Sequence, residues 1–353
     1  VSLHEPIPLA AVVLGEIVAS SAAELWTGCD FGCSYCLPVA RRWARRCGSG
    51  QESDAIGEAC VRRRGGDPLN LERLNVMWED GFSTWLPPAF LSQMSDSYPR
   101  LEESLRLTRR AIHALHRFGV GARVLTKSGT RAVVDFQSGP GTPLSLAGEG
   151  VHVDDLEHVD VNAEANLGSH PDDAYGATLT FMDDTDSRRW EPRAGLPSER
   201  IAGLREAHRR GIRTWVSMMP VIGPAVPGEI IRATHEFVDL FVLGPRFDPP
   251  WTERASSSRA CPSLGPEDWQ EFAAGIVELC ESVGAACFVV RSPEGEAVDD
   301  QSELLREMDE YVDDQFWAEC CRARKPSWVP LNSTYIEEQL SETCVAATRD
   351  GWQ

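Results

Sequence analysis

Cys29, Cys33 and Cys36 fall within eight residues, in the stretch GCDFGCSYC that begins at Gly28. Thiolates are soft donors that hold zinc and iron–sulfur clusters. Three of them on one short loop can bind three irons of a [4Fe–4S] cube. The fourth iron is then open to another ligand, which a closed four-cysteine site does not allow. Gly28, Gly32 and Ser34 are small neighbours that let the backbone wrap closely. A tetrahedral zinc site that adds Cys47 is the competing reading of the same residues.

The surrounding chain has 353 residues, 42% of them hydrophobic, enough for one large domain or two ordinary ones. It has no apolar run of membrane-spanning length. The early PLAAVVLG is short, has no Lys or Arg before it and is followed by Glu16, which argues against a signal peptide. The expected setting is therefore cytoplasmic. Eleven cysteines there point to metal or redox chemistry rather than a disulfide framework. Cys47, Cys60, Cys261, Cys280, Cys287, Cys320, Cys321 and Cys344 are scattered, and most read as small core residues. A second cluster on Cys261, Cys320, Cys321 and Cys344 would need a spacing that matches no compact motif.

The net charge is −20, unevenly spread. Residues 1–130 hold 15 Lys+Arg against 14 Asp+Glu, a net of +1, and the remainder holds 19 against 40, a net of −21. Such acidity disfavours general nucleic-acid binding, which needs cations for phosphate contacts. The arginines at 41–46 and 62–64 are candidates for a local basic surface, with a solvated helix face as the favoured alternative.

The elements that must position the cysteines alternate in type. AFLSQMS from Ala89, ARVLT from Ala122, ATLTFM from Ala177, IRTWVSMM, VDLFVLG and ACFVV read as strands. Leu101, Leu105, Thr108, Ile112 and Leu115 share one helical face. A helix is predicted from about Ser198 as N-cap, with Glu199 behind it. GEIIRATHEF is helical, and Trp269, Phe272, Ala273, Ile276 and Cys280 mark another helical face. Strands separated by helices predict a parallel α/β fold, in which sites gather at the C-terminal strand ends.

Two segments break this rhythm. Residues 138–176 are polar, acidic and rich in turn formers, and read as an insertion or lid. His152, Asp154, Asp155, His158 and Asp160 within it have metal-binding types, but a solvated acidic loop is the favoured reading. Residues 1–290 form the expected core, and 291–353 a C-terminal extension. Leu304, Leu305, Met308, Tyr311, Val312 and Phe316 give that extension one helical stripe.

With the cysteine spacing and the β/α alternation in view, the chain resembles the radical S-adenosylmethionine (radical SAM) superfamily. Five stretches, in order over roughly residues 25–245, are similar to the spore photoproduct lyase-like branch, often labelled DNA repair photolyase. They are GCDFGCSYCLPVARR, SDSYPRLEESLRLTRRAIHAL, RVLTKSG, TFMDDTDSRRWEPRAGLPSERIAGLREAHRRGI and VSMMPVIGPAV. The resemblance implies a partial (β/α)6 radical SAM barrel with an acidic insertion and a C-terminal helical extension. It implies Cys29, Cys33 and Cys36 as ligands of a [4Fe–4S] cluster whose open iron takes SAM. One-electron reduction would cleave SAM to methionine and a 5′-deoxyadenosyl radical that abstracts hydrogen from a substrate. An external electron donor of the flavodoxin or ferredoxin type would be the partner. The chain lacks a cysteine in the second-strand region, and Leu37 follows the third cluster cysteine where the branch has an aromatic. The expectation is therefore radical SAM chemistry on an unidentified substrate. The alternatives are a DNA- or RNA-acting lyase and a non-enzymatic zinc or iron–sulfur protein.

The resemblance also distributes SAM-binding roles. Ser95 and Asp96 fall where the methionine amino group is usually met, with a plain turn as the alternative. Lys127 is one of only two lysines against 32 arginines, and it ends a strand. A compact ammonium there suits the SAM carboxylate. Thr178, Thr180 and Asp183 would hold the carboxylate and ribose. Glu191 and Arg200 match the EP and R positions of the branch's pattern and equally could pair with each other. Met219 and Pro220 fall at the adenine pocket or in the core.

Overall fold

A computed structural model describes residues 21–33, 35, 61–63, 68–69, 71, 74–75, 88–92, 95–137, 156, 159, 166–244, 266–290 and 344–347. The described strands are β1 (Ser21–Ala23), β2 (Trp26–Thr27), β3 (Arg62–Arg63), β4 (Ala89–Leu91), β5 (Ala122–Thr126), β6 (Ala174–Thr178), β7 (Arg213–Met218), β8 (Leu240–Leu243), β9 (Ala286–Val290) and β10 (Cys344–Ala347). The helices are α1 (Glu102–Leu105), α2 (Leu107–Arg117), α3 (Asp184–Trp190), α4 (Pro197–Arg209), α5 (Val226–Thr234) and α6 (Pro266–Val283). One sheet runs β1-β4-β5-β6-β7-β8-β9-β10. Its first seven strands are parallel, and β10 joins antiparallel to β9. β2 and β3 form a separate antiparallel ribbon. The sequential parallel order is that expected of an α/β barrel segment.

The sheet curls. Phe90 on β4 and Trp215 on β7 are three strands apart, yet their ring centroids are 6.1 Å apart. Strand spacing of about 4.8 Å would separate them by roughly 14 Å on a flat sheet. Both rings therefore point to the concave side. Side chains alternate along a strand and in-register neighbours share a face, so the concave layers follow from the register. Gly176 and Trp215 pair in the middle, and Thr178, Ser217, Val242 and Phe288 form the layer nearest the C-terminal ends. The opposite face carries Val124, Tyr175, Ala177, Val216, Phe241, Leu243 and Val289, all in one core with Ile112, Leu115, Leu204, Ile230 and Ile276 from the helices. Each large aliphatic side chain buried there contributes roughly 1.5–3 kcal/mol.

Three local expectations are corrected. The helical face through Leu101 and Leu115 is broken at Arg106, whose φ is 51°. Glu102 folds back so that its carboxylate accepts from the Thr108 and Arg109 N–H groups, capping α2. Leu105 is left exposed. β6 starts at Ala174, inside the stretch 138–176, because Gly176 is no turn former here. A Cβ at that position would lie 2.2 Å from the Trp215 ring. Ser198 is not the N-cap of α4, which begins at Pro197, a residue suited to the first helical position. Glu199 instead accepts from the Leu196 N–H at 2.8 Å, and Ser198 donates to Asp184.

His152, Asp154, Asp155, His158 and Asp160, the 41–46 arginines and the 304–316 stripe lie outside the described residues. Cys280 and Cys287 are buried free thiols, as expected of core residues. No described helix is long and apolar enough to cross a membrane.

Candidate functional site

The cysteine loop follows the β1 and β2 segments and turns at Gly28 (φ 86°) and Gly32 (φ 66°). Cys29 and Cys33 are half-buried on it, and Cys36 lies outside the described residues. The loop is seated against chain that leaves the C-terminal ends of β4, β5 and β6. The Asp30 carboxylate accepts from the Arg100 N–H at 2.9 Å. The Phe31 carbonyl accepts from the Arg193 N–H at 3.2 Å. The Arg193 guanidinium lies over Gly32, where a Cβ would be 2.6 Å from Nη2. Tyr35 donates its hydroxyl to Glu191 and lies 3.3 Å from Thr180 Oγ1. Burial, then the neighbouring Glu191 and Cys33, hold the Tyr35 phenol well above its usual range.

Beneath the loop is a buried polar network. Glu191 and Arg200 are both buried and pair at 2.5 Å. Arg200 also donates to the Gly195 and Thr178 carbonyls, at 2.7 and 2.9 Å. Burial opposes its charge, and Glu191 more than offsets this, so the guanidinium pKa is raised. Of the two readings of Glu191 and Arg200, mutual pairing is the one observed. The 191–195 connection then closes on β5, with the Gly195 N–H donating to the Lys127 carbonyl at 2.7 Å. Gly195 is required by space, since a Cβ there would lie 2.4 Å from the Gly129 nitrogen.

The other expected residues divide by what their polar atoms do. Asp96 is buried and accepts from Thr126 Oγ1 at 2.6 Å and from the Tyr98 and Lys127 N–H groups at 2.8 and 2.9 Å. Burial raises its pKa against those bonds. It ties the end of β4 to the end of β5. Ser95 donates to Glu24 at 3.0 Å. Lys127 Nζ sits 5.7 Å from the centre of the Tyr35 ring. Thr178 is in the uppermost concave layer, and Thr180 lies just beyond it beside Tyr35. Asp183 is exposed and caps α3 by accepting from the Thr185 and Asp186 N–H groups, which lower its pKa. Met219 follows β7, and its side chain packs where a Cβ on Gly244 would stand.

Lys127, Thr178 and Thr180 thus come together with the cysteine loop, whereas the Asp183 carboxylate serves its own helix. Three residues of this site were not singled out from sequence. Tyr35 lies between two cysteines, and Arg193 lies between Glu191 and Gly195. Ser217 pairs in register with Thr178 and interrupts the apolar run TWVSMM.

No family model matches the chain, and no curated protein matches it. Several solved structures are similar to it, two of them as follows. One is spore photoproduct lyase complexed with dinucleoside spore photoproduct, with a TM-score of 0.45 and 15% identity, over 81% of this chain and 78% of that one. The other is the radical S-adenosylmethionine methyltransferase TsrM from Kitasatospora setae, with tryptophan substrate and a SAM analog bound. It has a TM-score of 0.34 and 13% identity, over 66% of this chain and 37% of that one.

Cys29 and Cys33 are donors of the type that iron–sulfur clusters take, and no group of three candidate ligands is complete among the described residues, Cys36 lying outside them. Cys29 and Cys33 are thiols on a loop whose glycines bring backbone close, and nothing among the described residues ties them into a disulfide.

Proposed function

We propose that this chain is a radical SAM enzyme in which Cys29, Cys33 and Cys36 hold a [4Fe–4S] cluster. The observation that carries the proposal is the seating of two half-buried cysteines, in the C-x3-C-x2-C spacing, over the C-terminal ends of a curled parallel sheet. When bound, the cluster and SAM supply one-electron cleavage of SAM to a 5′-deoxyadenosyl radical that abstracts hydrogen from substrate. The chain's own residues supply position and charge. Lys127 offers an ammonium at the end of β5 for the SAM carboxylate. Thr178 and Ser217 offer hydroxyls side by side in the upper concave layer. Asp96 holds the ends of β4 and β5 together through backbone bonds, which fixes where Lys127 stands. Curling of the sheet shields this side from water, where a radical needs protection. A flavodoxin- or ferredoxin-type protein is the proposed electron donor, in a reducing cytoplasm that keeps the thiols available.

The test is anaerobic loading with iron and sulfide, followed by metal analysis and EPR with and without SAM. A four-iron signal that changes with SAM supports the proposal. Stoichiometric zinc with no cluster would overturn it.

A further inference from the structure

The 191–195 connection touches the cysteine loop at three separate points: Glu191 at Tyr35, the Arg193 N–H at Phe31, and the Arg193 guanidinium over Gly32. The same connection is anchored below by Arg200 and by the Lys127 carbonyl. We infer that Glu191 and Arg200, acting through Tyr35, form a latch that fixes the cysteine loop in its ligating position, and that neither residue contacts SAM.

The bonding inventory supports this division of labour. Glu191 Oε1 accepts from Tyr35, and Oε2 accepts from Arg200 and from Ser187 Oγ at 3.2 Å. Arg200 spends Nε on Gly195, Nη1 on Thr178 and Nη2 on Glu191. Both residues are buried, so neither has an open face for a ligand. A buried ion pair is a weak source of net stability, but removing one partner leaves an uncompensated buried charge, so the two side chains hold each other in place. Tyr35 extends that fixed geometry into the loop, one residue before Cys36 and two after Cys33. The Lys127 carbonyl, which accepts from the Gly195 N–H, links the latch to the end of β5. Tyr35, Glu191 and Arg200 are thus positioning residues, and their relevance to the cluster rests on the function proposed above.

The test uses the full metal-free chain and iodoacetamide, with alkylation of each cysteine followed by mass spectrometry. Tyr35→Phe removes only the hydroxyl that joins loop to latch. Cys29 and Cys33 should then alkylate roughly tenfold to a hundredfold faster than in the wild type. That is the factor expected when a hydrogen bond to a charged group no longer opposes local opening. Cys280 and Cys287, buried in the core, should stay protected. Cys29 and Cys33 reacting at the wild-type rate would overturn the latch. So would a uniform rise at all four thiols, which marks general destabilisation. After iron–sulfide loading, the variant should also give a broadened EPR line relative to the wild type, and an unchanged line would count against the latch. The alkylation needs no metal, so failure of the cluster assignment and failure of the latch give different results.

Discussion

Arg193 lies on Gly32, its Nη2 2.6 Å from the place a Cβ would take. Gly32 also has a φ of 66°, a conformation that side chains rarely adopt. Gly32→Ala should therefore cost about 1–2 kcal/mol from the left-handed backbone alone, before Arg193 is displaced. A lowered urea midpoint together with reduced iron per chain is the expected result. Wild-type values for both would contradict both the backbone cost and the crowding by Arg193.

The paired burial of Glu191 and Arg200 makes a sign-specific prediction. Glu191→Ala leaves a buried guanidinium without its counter-charge, which costs about 3–5 kcal/mol. Replacing both, as Glu191→Leu with Arg200→Met, should recover much of that loss in stability. Urea unfolding of the two variants tests this. A double variant no more stable than the single one would show that the pair contributes more than compensated charge.

Lys127 separates main-chain from side-chain roles. Its N–H donates to Asp96 and its carbonyl accepts from Gly195, so the backbone carries the structural bonds. Lys127→Ala should leave the fold and cluster loading intact. The SAM concentration for half-saturation should rise roughly tenfold or more, the effect of losing a charge-assisted hydrogen bond. Equilibrium titration with SAM measures it, and unchanged binding would remove Lys127 from the site.

Much of this was legible in local pattern. The cysteine loop announces itself by spacing, Lys127 by the scarcity of lysine, and the parallel sheet by alternating apolar segments. What was not legible depends on partners distant in the chain. Tyr35 and Glu191 are 156 positions apart, and no local periodicity joins them. Gly176 reads as a turn former until Trp215 is seen lying over it. Glu102 reads as a helical residue, and its capping of the next helix depends on a left-handed Arg106.

Glu102 also predicts a pH dependence. Burial raises its pKa to about 8, against the backbone bonds that favour the anion. The native state then holds a proton that the unfolded chain has released, from the ordinary carboxylate range up to about pH 8. Stability should fall across that window as pH rises. Glu102→Gln keeps an acceptor for the Thr108 N–H and removes the titration, so its stability should fall less over the same range. Parallel urea-unfolding slopes for wild type and variant between pH 5 and pH 8 would contradict this.

The most direct measurement is product formation. The chain, loaded with iron and sulfide and reduced without oxygen, is given SAM, and 5′-deoxyadenosine is quantified beside a Cys33→Ala control. Cys33 sits on a loop, so the control should keep its circular dichroism and lose its cluster. The account predicts 5′-deoxyadenosine from the wild type and only background from the control. Equal background from both, with a fully loaded cluster in the wild type, would contradict it.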